Sequence, residues 1–291
     1  HSFTPLISAG GDACQLLSLR KMPITAILDQ ESRTLTVDAS TTYSEVCNFL
    51  ATHPSSNLAL ATVASLPHFS VAGAVATGTH GSSGLGADGR LKLSGLADAV
   101  VALEIVGADG ALRTIERGDE DFSCAVTSLG MLGVVTRLTL SLVDGYNVRQ
   151  RVYGEWPPVA PTDTDTGTGT GGGLERLLAS VPAALAQTDS LSAFVQWSVD
   201  APGMMICRDK LPAEGAAPLA PAPTAWAPTE SPLRYEPIEG FLEGFGAFDA
   251  TSSGQWCDKM HIWMRDAEPF GPQGAPELQL EHFVPLKHAA E

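Results

Sequence analysis

SLPHFSVAGAVATGTHGSSG, residues 65–84, has no formal charge over twenty residues, thirteen of which are Gly, Ala, Ser or Thr. A solvated linker of small residues would not also hold Phe69, Val71 and Val75, nor lack charge throughout. Small residues in an uncharged, buried segment let backbone N–H groups come close to a ligand, because no side chain stands in the way. The stretch reads as a backbone cradle for a large, planar or phosphorylated cofactor. A tightly packed turn inside the core is the alternative reading.

The flanking sequence supplies a scaffold for such a cradle. ITAILDQESRTLTVDAS (24–40) sets two alternating apolar runs about a polar DQES, the pattern of a β-hairpin. Thr42 and Glu45 then fit a capping box. Tyr43, Val46, Cys47 and Leu50 follow at i, i+3, i+4 and i+7, one apolar stripe of a helix that ends before Pro54. Beyond residue 84, DAVVALEIV (98–106) and ALRTIER (111–117) form a second hairpin across GADG, where Asp109-Gly110 suits a tight turn. DEDFSCAVTSLG (119–130) reads as a helix closed by Gly130, and GVVTRLTLSLV (133–143) as a half-buried strand. The class is α+β, and this first unit closes near Asp144.

Composition changes next. PPVAPTDTDTGTGTGGG (157–173) is a low-complexity insertion, too polar and glycine-rich for a core. After it come a helix (LERLLASVPAALAQ), strands (LSAFVQWSV and MMICR), a Pro/Ala-rich loop and a last strand, ELQLEHFV (277–284). We divide the chain into residues 1–148 and 149–291. The chain opens HSFTPL and closes FVPLKHAAE, so both domains are expected to be incomplete.

Bulk properties exclude other classes. With 17 Lys+Arg against 33 Asp+Glu, net charge −16, a phosphate backbone meets repulsion nearly everywhere, which argues against nucleic acid as a partner. No apolar run approaches the ~20 residues of a membrane span. Five widely spaced cysteines without CxxC point to reduced thiols and a cytoplasmic location rather than a disulfide framework or zinc site. His68 and His80 lack neighbours at metal-ligand spacing and read as hydrogen-bonding groups, so no metal is expected. Gly84, Gly86 and Gly89 satisfy GxGxxG, but THGSS precedes them where a dinucleotide-binding turn needs an apolar strand. That match reads as a surface loop.

SLPHFSVAGAVATGTHGSSG, taken with HSFTPL, RGDEDFSCAVTSLGMLGVVTRLTLSL and ELQLEHFVPLKHA in the same order, resembles the alditol (xylitol) oxidase branch of the vanillyl-alcohol-oxidase-type flavoproteins. The resemblance implies a PCMH-type FAD-binding domain followed by a sheet-based substrate (cap) domain. It implies FAD contacts at Ser70, Gly73, Ala74, Val75 and Ala76, continuing through Gly78, Thr79 and His80, with later ones at Gly133 and Val134. His1, with Ser2 beside it, matches a GHSF-type motif whose histidine is bonded covalently to the 8α carbon of FAD. A neutral imidazole nitrogen is a competent nucleophile for that bond. Ser65 matches a hydroxyl directed at both substrate and flavin, and Ala64 a small residue where O2 approaches the ring. The implied activity is oxidation of a terminal carbinol of a polyol, with O2 returning as H2O2. Aldonolactone oxidation and a non-catalytic flavin-binding remnant are the alternatives. The resemblance implies that the family's Glu-x-Arg pair, His and Lys of the substrate domain, and its glycine-rich arm before the linking histidine, would lie outside residues 1–291.

Overall fold

The computed structural model describes residues 17–23, 25–93, 95–156, 181–194, 203–211, 251–261 and 281–288. They fall into two compact units: residues 17–81, 95–145 and 281 in the first, and 82–93, 146–261 and 282–288, as far as described, in the second.

The first unit is built on the two hairpins that the alternation predicts. β1 (Ala26–Asp29) pairs antiparallel with β2 (Thr34–Asp38), and β4 (Val100–Val106) with β5 (Leu112–Glu116). β6 (Val134–Ser141) lies between the hairpins, giving the order β1-β2-β6-β4-β5 with every pairing antiparallel. Alternate residues turn inward: Leu35 and Val37, Val100, Leu103 and Ile105, Leu138 and Leu140 are all buried. At the end of β2 the buried Asp38 carboxylate accepts from Thr25 N at 2.6 Å and from Arg137 Nε at 3.3 Å. Burial opposes its charge, but these donors outweigh that and hold the acid below its usual range. A short pair, β3 (Leu58–Ala59) with β7 (Val143–Asp144), closes the unit.

α1 (Tyr43–Thr52) buries Tyr43, Val46, Cys47 and Leu50, the stripe legible in the sequence. Its capping box is formed: Glu45 N donates to Thr42 Oγ1 at 3.2 Å, and Thr42 N to the Glu45 carboxylate at 2.7 Å. Thr42→Ala is expected to destabilise the first unit by about 1 kcal/mol, and Thr42→Ser much less. Equal thermal midpoints for the two variants would contradict that. α3 (Phe122–Val126) is shorter than predicted. Glu116 N donates to the Asp119 carboxylate at 2.8 Å, which makes the acidic stretch a turn, and Leu129 (φ 52°) and Gly130 (φ 75°) leave the helical region.

The second unit is a four-stranded antiparallel sheet in the order β11-β8-β10-β9, with β8 (Asn147–Trp156), β9 (Ser190–Phe194), β10 (Gly203–Lys210) and β11 (Thr251–Gln255). Helical residues 181–187 cover one face, where Tyr153, Ala184, Met205 and Cys207 pack with Val181 and Leu191. α4 (Trp256–Lys259) follows β11 directly and buries Trp256 and Cys257. The glycine-rich residues 84–91 form a turn, with Gly86 N on Arg90 O at 2.8 Å and Leu85 bridged to Leu91. Among the described residues no α-helix opens on that turn, and the next helical element is a single 3₁₀ turn at Ala97–Ala99, which agrees with the loop reading of GxGxxG. The expected strand 277–284 needs correction: residues 281–285 form none, and Phe283 and Val284 are 79% and 59% exposed. An alternating apolar pattern marks a strand only where a neighbour pairs with it. Residues 277–280, like the insertion 157–173, lie outside the described residues. Among the described residues no helix is long and apolar enough to cross a membrane.

Candidate functional site

The cradle stretch begins in the core and comes to the surface. Thr62, Val63 and Ala64 are buried, and Ser65 is exposed. The next residues dock on the start of α1, whose first N–H groups have no partner within the helix. Tyr43 N donates to Phe69 O at 3.1 Å, Ser44 N to Pro67 O at 2.7 Å, and Val71 N in return to Thr41 O at 2.7 Å. With the capping box, the first two of these bonds satisfy the leading N–H groups of α1, and the third fixes the entry to the next helix.

That helix, α2 (Val71–Ala76), lies inside the predicted cradle and was not legible from periodicity, because VAGAVA carries no polar face. Val71, Ala74 and Val75 turn inward, so Ala74 and Val75 can meet a ligand only through their backbone. Gly73 is exposed, with Ala72 and Ala76 part-buried beside it, which leaves a flat, uncharged helix face close to the backbone. Gly78, at φ +68°, ends the helix: Thr79 N reaches Ala74 O at 2.9 Å and Gly78 N reaches Val75 O at 3.0 Å. This is a Schellman ending, and it requires the left-handed residue.

Residues 128–134 lie against the end of α2, with Leu129 N on Ala76 O at 2.9 Å. Here Leu129, Met131, Leu132 and Val134 are 55%, 83%, 49% and 40% exposed. Four large apolar side chains left open beside a charge-free helix face make a surface on which a flat aromatic group can stack. Gly133 has a structural reason of its own: at φ +145°, a Cβ would stand 2.3 Å from Val106 O. Gly81 is a position that sequence reasoning missed, since a Cβ there would stand 2.3 Å from Val63 O. Only its place within the small-residue run could have marked it.

His80 sits at the far end of the stretch. Its Nδ1 is 2.9 Å from Gly81 O and its Nε2 2.7 Å from Glu281 Oε1. Both neighbours are acceptors, so the protonated ring, with two N–H donors, is the form that satisfies both contacts at once. The Gly81 carbonyl and then Glu281 raise the histidine pKa against the opposing effect of burial. Ser70 stands at the N-cap of α2 without a side-chain capping bond. His1 and Ser2 lie outside the described residues. A separate recess of about 400 Å³, lined by Asp98, Arg117, Asp119, Phe122 and Ser123 among others, shares no residue with this constellation.

Residues 1–116 match the FAD binding domain family. The whole chain aligns with an alditol oxidase of Streptomyces sp. at 33% identity, and spans 61% of that relative's length. A D-arabinono-1,4-lactone oxidase of Candida albicans is 32% identical over 120 residues, which are 40% of this chain and 20% of the relative. An L-gulono-1,4-lactone dehydrogenase of Mycobacterium tuberculosis is 29% identical over 143 residues, 49% of this chain and 30% of the relative. Among solved structures, a solvent-stable cholesterol oxidase shares the fold at a TM-score of 0.52 and 16% identity, over 75% of this chain and 39% of that one. Residues 1–116 are thus similar to an FAD binding domain, and the chain is similar in sequence to alditol and sugar-lactone oxidases, spanning less than two thirds of the length of the relatives it matches.

Proposed function

We propose that this chain, with its FAD-binding domain, is part of an enzyme that oxidises a CH–OH group of a sugar-derived polyol or lactone. The observation that carries the reading is the uncharged face of α2 beside the exposed apolar residues 129–134, on a stretch whose backbone turns depend on glycine. FAD, when bound, accepts the hydride and passes the electrons to O2, giving H2O2. The chain's residues supply position and environment. Gly73, Ala76 and Gly78, with Ser70, Ala74, Val75 and Thr79 through the backbone, hold the cofactor, and Gly133 and Val134 continue that surface. His80, its two ring nitrogens held by Gly81 O and Glu281, closes the far end of that surface. His1 is the residue for a covalent link, with Ser2 beside it. Exposed Ser65 offers a hydroxyl to the substrate, and buried Ala64 leaves room behind it for O2.

Two substrate classes divide this reading. The alditol class has a relative that aligns over all of this chain, whereas the lactone class has more of the relatives. The lactone class therefore has the broader support. Peroxide release and dye reduction, measured with xylitol, sorbitol, D-arabinono-1,4-lactone and L-gulono-1,4-lactone, separate the two classes and the oxidase from a dehydrogenase. A yellow protein that turns over none of the four is a binding remnant. Colour that stays in an acid precipitate reports the covalent link.

Ser65→Ala is expected to leave flavin content unchanged and to lower kcat/KM by about 1–3 kcal/mol in transition-state terms, the worth of one hydrogen bond to substrate. Unaltered kinetics would remove Ser65 from the site.

A further inference from the structure

The second unit buries a group of charges that the flavin chemistry does not use. β8 alternates, so Arg149, Arg151 and Tyr153 share a face. β10 sets Asp209 opposite Arg149 and Cys207 opposite Arg151. Arg151 Nη2 donates to Asp209 Oδ2 at 2.7 Å, and Arg149 Nη2 to the same oxygen at 3.3 Å. The side chains of Arg151 and Asp209 are 7% and 4% exposed, and that of Arg149 is 29% exposed. Each arginine keeps a buried Nε–H without a hydrogen-bond partner.

Two guanidinium groups on one carboxylate leave a positive charge in excess. Among the described residues no neighbouring group cancels it. Tyr153 and Cys207 are held neutral, first of all by burial, which raises both pKa values. Arg208 and Lys210, on the opposite face, are cations, and Asp189 is engaged by Lys92 at 3.4 Å and by Lys210 N at 2.8 Å. The apolar cluster of Tyr153, Met205, Cys207 and Leu191 adjoins the pair and keeps water from its donors. Arg149 opens the group to solvent, with 29% of its side chain exposed.

We propose that Arg149 and Arg151 form a binding site for a small oxyanion, a carboxylate or inorganic phosphate. The anion would take the two Nε–H donors and neutralise the excess charge. Guanidinium edges suit both oxyanions, and charge-assisted bonds of this kind strengthen where water is excluded. Asp209 holds the two side chains in place and leaves their remaining donors for the ligand.

Calorimetric titration of the full chain with sodium phosphate and with sodium acetate, against sodium chloride at matched ionic strength, tests the site. Saturable binding of either oxyanion at one site per chain is expected, and the tighter of the two identifies the natural chemistry. Arg149→Gln, which leaves a one-to-one Arg151–Asp209 pair, is expected to weaken binding by about tenfold or more. Arg149→Lys, which keeps the charge but loses the Nε donor, serves where the first variant does not fold, and is also expected to bind more weakly. Absence of saturable binding in the unmodified chain, or equal binding in whichever variant folds, overturns the proposal. The titration is independent of flavin content, so its result and that of the flavin assays fail or succeed separately.

Discussion

Gly133→Ala should lose about 2–5 kcal/mol of stability in the first unit, where Gly78→Ala should lose only about 1 kcal/mol. Both glycines have positive φ, +145° and +68°, so an alanine is conformationally strained at either. Their surroundings differ. The Cβ at residue 133 would meet Val106 O at 2.3 Å, the Val106 carbonyl carbon at 3.0 Å and Ile105 Cγ1 at 3.1 Å, whereas the Cβ at residue 78 would meet nothing within 4 Å. Val106 pairs with Val134 at the start of β6, the central strand of the five-stranded sheet. Relief at residue 133 therefore means separating β4 from β6, and overpacking adds to the backbone strain. Thermal melts followed with flavin absorbance test both halves of the argument. The residue 133 variant should lose stability and flavin together. The residue 78 variant should stay folded, and a drop in its flavin content places the cofactor at α2. Equal melting of the two variants would mean that the close approach to Val106 has little effect.

The contrast between these glycines shows what the sequence could and could not reveal. Gly133 and Gly78 both follow from the resemblance as flavin positions, but only coordinates show that one of them is already required by a neighbouring strand. α1 was legible down to its buried residues because capping chemistry and a 3.6-residue period are local properties. The hairpins β1–β2 and β4–β5 were legible because alternation and turn residues coincide. β8 was not, since NVRQRVYGEW carries Arg149 and Arg151 at positions that alternation assigns to a solvent face, yet Arg151 is buried and Arg149 half-buried in the structure. α2 was hidden for the opposite reason, as six small apolar residues have no periodicity to read. The apolar surface at 129–134 is a tertiary property: these residues are open because the chain turns outward at Leu129 and Gly130, which the sequence suggested only as a helix end. His80 was legible as a hydrogen-bonding group but not its partner, since Glu281 lies 201 positions away.

Asp209→Asn is expected to destabilise the second unit by about 3–5 kcal/mol, the effect of leaving buried cations without their counter-charge. The substitution conserves shape and one oxygen acceptor, so packing changes little and electrostatics dominates. The asparagine leaves Arg149 and Arg151 facing each other across a dipole, beside the neutral Tyr153 and Cys207. An exposed pair provides the contrast. Asp109 and Arg113 also bond through their side chains, but at 54% and 52% exposure solvent screens them, and Asp109→Asn should change stability little. Urea unfolding of the two variants measures the difference, with a large fall in midpoint at residue 209 and almost none at residue 109. If the residue 209 variant is instead as stable as the unmodified chain, the guanidinium groups have enough solvation without a carboxylate. Their Nε donors would then attract no anion, so the oxyanion titration should be blank in the same preparation. If the residue 209 variant is destabilised and added phosphate restores part of the loss, the two cations are short of negative charge, and an external oxyanion can supply it.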